Sequence, residues 1–175
     1  MENLLNTQRV SRIYIKGIQL VFMFAIVAFT LQKDNAKGML TYKGNKKTYH
    51  VELKFAHFVT GPDSFDPNKK IRRLIFTNAS MDGRIKSCGV MNCVDQYIEG
   101  MQVDLDAADR ILFWVSLDGQ LVQYSGTAPL EAITFSAQTD KRIAGKLKID
   151  NASGGGPIIE VTFDALLLKD FAKHR

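Results

Sequence analysis

From Met39 to Ala165, apart from residues 79–100, the chain alternates apolar and polar residues with a period of two, and clusters of Gly, Asn, Asp and Pro cut it into short runs. This pattern restricts the fold more than any other feature. In an extended strand successive side chains point to opposite faces, so such a run buries one face and wets the other. Short strands with turn signals between them build antiparallel sheets. The expectation is a mostly β chain: an antiparallel β-sandwich or small barrel of about seven to nine strands with one short helical insertion.

The runs can be taken in order. Met39-Leu40-Thr41-Tyr42 and residues 48–58 flank Gly44-Asn45, a hairpin signature. In the second run Tyr49, Val51, Leu53, Phe55 and His57 share one face, and His50, Glu52 and Lys54 the other. Gly61-Pro62-Asp63 and Asp66-Pro67-Asn68 carry turn chemistry, making residues 60–70 a loop, and residues 71–77 (IRRLIFT) a third strand. Asp118-Gly119 is the strongest hairpin signal. A two-residue loop there predicts Leu117 opposite Gln120, Val115 opposite Val122 and Phe113 opposite Tyr124, with Trp114 against Gln123 on the other face. Pro129 then breaks the chain, and alternation resumes over residues 133–137, 143–149 and 159–165. Residues 169–175 read as a polar tail or a final helical turn. Phe55, Phe76, Phe113, Phe135 and Phe163 are the candidate core aromatics.

Residues 79–100 lack the β alternation. Ser80 suits a helix cap, and Val90, Val94, Tyr97 and Ile98 recur at helical spacing, so short helix is expected here. Cys88 and Cys93, the two cysteines of the chain, lie within it. Each helical residue advances about 100°, so an i, i+5 pair needs an irregular turn, which Gly89 supplies. Beyond a membrane an oxidised pair is the default. C-x4-C is not the C-x-x-C of redox enzymes, and a zinc site lacks two ligands.

Residues 17–31 (GIQLVFMFAIVAFTL) are apolar and follow Arg9, Arg12 and Lys16. A basic flank and an apolar core are the first two parts of a secretory signal, with Ala28-Phe29-Thr30 the best cleavage site. The alternative is an uncleaved anchor extending back to Ile13. Both place the body beyond the membrane. The domain reading is therefore a signal peptide or anchor over 1–31, a linker over 32–38 and a single β-rich domain over 39–175. The net charge of +5 drops to about +3 without the leader, too little to imply nucleic acid. Membrane contact is confined to residues 13–31 if they stay uncleaved.

No catalytic constellation stands out. The DxDxxD of Asp104, Asp106 and Asp109 lacks the Gly and bidentate Glu of a calcium loop and reads as a turn. His50 and His57 have no nucleophile beside them, and no G-x-S-x-G elbow exists. Catalytic, cofactor and metal residues are assigned as none. Two basic clusters, Lys46-Lys47 and Lys69-Lys70-Ile71-Arg72-Arg73, lie in or beside loops. They suit a solvated face or an anionic partner. The candidate contact surface is the helical insertion with the Asp63–Arg73 loop, whose expected partner contacts are Asp63, Phe65, Lys69, Lys70, Arg72 and Arg73, since loops on a rigid scaffold carry most recognition.

The segments GMLTYKG, FVTGPD, IRRLIFT, CGVMNC, EGMQVDLDA, LVQYSGTA, RIAGKLKID, GGGP and VTFDALL occur in an order that resembles small, uncharacterised exported proteins of Gram-negative bacteria. The resemblance spans most of residues 37–175. It implies a bacterial, periplasmic setting, in which the Asn-Ala-Ser sequences at Asn78 and Asn151 carry no sugar. It supplies no reaction, cofactor or site. The functional expectation is a periplasmic or secreted, non-catalytic binding module of inhibitor or immunity type that meets a protein or small ligand. The alternative is a carrier of a small apolar ligand in a barrel interior.

Overall fold

A computed structural model describes residues 34–175. The leader of residues 1–31 lies outside the described residues. Among the described residues no helix is long and apolar enough to cross a membrane. Residues Asp34–Arg175 form one compact unit.

Ten strands make a single curled sheet, a half-barrel. They are β1 (Ala36–Lys43), β2 (Thr48–Leu53), β3 (Phe55–Pro62), β4 (Lys70–Thr77), β5 (Gly100–Asp104), β6 (Ile111–Ser116), β7 (Tyr124–Ala128), β8 (Ile133–Gln138), β9 (Arg142–Asp150) and β10 (Ile158–Asp170). The order is β2-β1-β10-β3-β4-β5-β6-β7, with β9 and then β8 branching from β10. One short helix, α1 (Asp82–Ser87), and a 3-10 turn (Asp95–Tyr97) fill the segment between β4 and β5. The mostly β character is as expected. A sandwich of seven to nine strands is not what forms.

The difference begins at Lys54. Residues 48–58 read as one strand, yet the Lys54 N–H bonds the Thr77 carbonyl (2.9 Å) and its own carbonyl accepts from Ala36 N–H (3.0 Å). Lys54 therefore bends the run into β2 and β3. A one-residue break exchanges faces. Val51 and Leu53 point into the main core, but beyond the bend Ala56 and Phe58 do so, and His57 turns to the outer face. β3 keeps the direction of β2, which is antiparallel to β1, so β3 pairs parallel with β10 at Phe58–Leu167. That parallel pairing corrects the all-antiparallel expectation. β10 is 13 residues long and serves both halves of the sheet. The end of the chain accordingly continues as strand to Asp170, where a polar tail or helical turn was expected, and buries Phe171 beyond it.

The Asp118-Gly119 turn forms, with positive φ at both residues (53° and 72°) and Gln120 N–H bonded to the Leu117 carbonyl at 3.0 Å. The predicted pairing beyond it is displaced by two residues. Val115 faces Tyr124 and Phe113 faces Gly126, because Leu121 and Val122 loop outward before the ladder resumes at Gln123 N–H to Val115 carbonyl, 2.7 Å. A shift of two preserves the facing of side chains. Phe113 and Val115 still point inward, and Trp114 lies between Ser125 and Gln102.

The concave side holds the main core, where Phe76 and Phe163 meet edge to face with centroids 5.3 Å apart. Phe113 joins them in the core, while Phe55 and Phe135 are half-buried. The convex side of β3–β5 carries a second core: Val59, Ile71 and Ile75 under Met81, Ile85, Met91, Val94, Ile98 and Phe171. The insertion and the C-terminal tail thus form a layer over the sheet.

Candidate functional site

The β3–β4 loop is built by its acidic residues. The buried Asp63 carboxylate accepts from Phe65 N–H (2.9 Å), and Asp66 accepts from Asn68 N–H (3.0 Å). Two backbone bonds close the loop, Asp63 N–H to Lys69 carbonyl (2.8 Å) and Lys69 N–H to Asp66 carbonyl (2.9 Å). The Asp side chains bond nearby backbone as turn residues do. The apex is Phe65, 89% exposed. Lys69 and Lys70 stand beside it, Lys69 Nζ on the Ala107 carbonyl (3.1 Å) and Lys70 Nζ on Asp170 (2.8 Å).

The two arginines of this stretch point to opposite faces of β4. Arg72 forms a two-pronged pair with Asp106 (Nε 2.7 Å, Nη2 2.6 Å), and its backbone N–H also donates to that carboxylate. Burial pushes the Asp106 carboxyl up, but Arg72 outweighs it and holds the group below its ordinary value. The bond to Asp106 raises Arg72 in turn. This pair rims a cleft of about 420 Å³ floored by Leu105, Ile111, Leu130, Ile133 and Phe135.

Arg73 points to the convex face and is buried against Asp104 (Nε–Oδ1 2.6 Å, Nη2–Oδ2 2.9 Å), its guanidinium 4.6 Å above the Trp114 ring. Gln102 is fully buried beside Trp114, with its amide toward the Asp95 carboxyl. Asp95 from the 3-10 turn and His174 from the tail approach the same charges. Burial raises the Asp95 carboxyl, with Arg73 opposing. Burial lowers His174, and Arg73 and Arg175 add to that. Asp104 and Asp106 are thus both occupied by arginines, which removes the carboxylates a calcium loop would use.

Of the six expected contact residues, Phe65, Lys69 and Lys70 lie together at the surface and Arg72 lines the cleft rim. Asp63 and Arg73 are buried, one shaping the loop and the other paired under the insertion. Sequence reasoning missed the ion pairs. Their signal was two adjacent arginines on β4 facing two alternate aspartates that follow across β5.

One constellation has the outline of a catalytic triad. His57 Nδ1 lies 2.8 Å from Asp82 Oδ1, and Nε2 lies 3.3 Å from Thr77 Oγ1. The protons are committed elsewhere. Met81 N–H donates to Nε2 (3.2 Å) and Thr77 Oγ1 donates to the Ala79 carbonyl (2.6 Å). His57 Nε2 therefore cannot take a proton from Thr77, as a general base must. Both residues are also buried. The cluster instead anchors the start of α1, whose Asp82 N–H lies 3.4 Å from Ser80 Oγ, without a side-chain cap at Met81. At the other end Lys169 Nζ donates to the carbonyls of Lys86 (2.8 Å) and Cys88. Cys88 and Cys93 have Cα atoms 5.8 Å apart, with their sulfurs at bonding distance. Inside the loop they close, Met91 and Asn92 N–H groups donate to the tail carbonyls of Lys173 (3.0 Å) and His174 (3.2 Å).

No protein-family model matches the chain, and no curated protein or solved structure does.

Proposed function

We propose that this protein is an exported, non-catalytic interaction module of inhibitor or immunity type, which engages a protein partner through the β3–β4 loop. The observation that carries the reading is Phe65: a side chain 89% exposed at the apex of a loop fixed by four hydrogen bonds. An apolar aromatic held in water by a rigid loop costs little conformational entropy to dock, and such residues dominate binding energies. Lys69 and Lys70 beside it favour a partner with an apolar pocket and acidic rim.

The test is capture on immobilised full-length protein from a periplasmic extract of the source cells. Phe65→Ala and Lys69→Glu variants are run in parallel, with melting curves as a control for folding. A partner retained at least about tenfold more weakly by Phe65→Ala supports the reading. Equal retention by all three proteins refutes it. A second reading, carriage of a small apolar ligand, draws on the cleft that Lys69 and Arg72 line together with Leu105, Ile111, Leu130, Ile133 and Phe135. A fluorescent apolar probe that binds wild type and is blocked by Ile133→Trp favours that reading.

A further inference from the structure

An open sheet edge is a row of backbone N–H and C=O groups ready to pair with another strand, and proteins protect such edges with charges, prolines or bulges. Among the described residues three strands end a sheet path: β2, β7 and β8. β2 carries His50 and Glu52 and follows Lys46-Lys47. The ladder of β8 is interrupted between Phe135 and Ala137. Within its five residues β7 has neither protection, and Pro129 follows directly beyond it. Its sequence, Tyr-Ser-Gly-Thr-Ala, holds no charge and no proline, and it pairs with β6 in unbroken register. Exposed apolar side chains stand at both of its ends, Leu121 and Val122 (55% and 54% exposed) before it and Leu130 (49%) after it. The first two are held outward, because Ser116 Oγ donates to the Leu121 carbonyl at 2.6 Å and Gln123 N–H to the Val115 carbonyl at 2.7 Å.

We propose that β7 pairs edge to edge with β7 of a second copy of this chain, antiparallel, about a twofold axis at Gly126. The identity of the occupant comes from the edge itself, which is complementary to its own reverse. In that register Tyr124 lies opposite Ala128 of the second copy, large against small, and Ser125 opposite Thr127. Val122 and Leu130 lie outside the paired strand, exposed on either side of it. Gly126 sits on the axis, and a Cβ there would already meet the Tyr124 and Phe113 rings at 3.0 and 3.1 Å. The charged side chain bonded to this edge is Arg110, whose Nε donates to Thr127 Oγ1 at 3.1 Å within its own chain. A contact related by a twofold axis uses the same patch on both copies and closes as a dimer. Five paired residues make a small interface, so the dimer is weak, with a dissociation constant on the order of 10–100 µM.

The test is sedimentation of the full chain across a concentration series spanning that range. Wild type is expected to pass from monomer to dimer. Ser125→Lys with Thr127→Lys places lysine opposite lysine across the axis and is expected to weaken the dimer at least about tenfold. Ser125→Lys with Thr127→Glu places lysine opposite glutamate and is expected to restore it. Both positions are exposed, and melting curves of the two double variants confirm that they fold alike. Monomer at every concentration overturns the proposal and leaves β7 to a strand from a different protein. A dimer indifferent to the paired lysines also overturns it.

Discussion

Asp104→Ala removes both hydrogen bonds from a buried guanidinium. The Arg73 side chain is 3% exposed and Asp104 8%, and their two hydrogen bonds measure 2.6 and 2.9 Å. Each such charge-assisted bond is worth about 1.5–3 kcal/mol. Nη1 of Arg73 is already without a partner, so the variant leaves the whole fork unpaired beneath Trp114 and the insertion. Breaking a buried pair from one side costs about 3–5 kcal/mol. For a unit of this size a loss near 4 kcal/mol lowers Tm by about 10–15 °C. Urea unfolding followed by Trp fluorescence reads the loss directly, because Trp114 is the single tryptophan and lies on Arg73. Arg73→Met with Asp104→Leu removes both charges together. Hydrophobic replacement of a whole pair is often neutral, so the double variant is expected within about 1.5 kcal/mol of wild type. An Asp104→Ala cost below about 1 kcal/mol, or a double variant as unstable as the single, refutes the reasoning.

Burial lowers His57 below its ordinary value of 6.5, with Asp82 opposing, so the unfolded chain binds the proton more readily. Stability is therefore expected to fall as pH drops from 6.5 toward the folded value, and His174 contributes with the same sign. The slope should be smaller in His57→Gln, measured by urea midpoints, and a rise in stability on acidification would contradict it. Replacing both Cys88 and Cys93 by Ser opens a six-residue loop, for which chain entropy gives a loss of about 2 kcal/mol. Amide exchange should accelerate at Met91 and Asn92, whose N–H groups hold the tail; unchanged exchange there would sever the link between disulfide and tail. Gly100 has φ 151°, and a Cβ on it would lie 2.0 Å from the Phe76 carbonyl oxygen. Gly100→Ala is accordingly expected to cost at least about 3 kcal/mol in urea unfolding, and a near-neutral result would contradict the close β4–β5 approach.

Alternation made the strands legible because one buried face is a local property of each run. Val161, Phe163 and Ala165 point inward as their spacing requires. What local pattern does not encode is direction and register between distant segments. The bend at Lys54 depends on Thr77 and Ala36, and it alone exchanges the faces of β3 and sets the parallel pairing with β10. Asp118-Gly119 specified its turn, but the outward loop at Leu121 and Val122 has no turn chemistry of its own. The candidate site was partly legible for the same reason. Phe65, Lys69 and Lys70 are surface residues of a loop marked by its prolines. Arg72 and Arg73 read as one basic cluster, whereas adjacent strand residues face opposite ways and their fates were decided by Asp106 and Asp104 on another strand.

A photo-crosslinking residue placed at position 65 of the full chain in living cells tests the binding role of the loop most directly. The control is the same residue at Ile158, 43% exposed at the start of β10. A discrete protein adduct formed from position 65 and absent from position 158 is the expected result. No adduct at 65, or the same adducts from both positions, would contradict a partner site centred on Phe65.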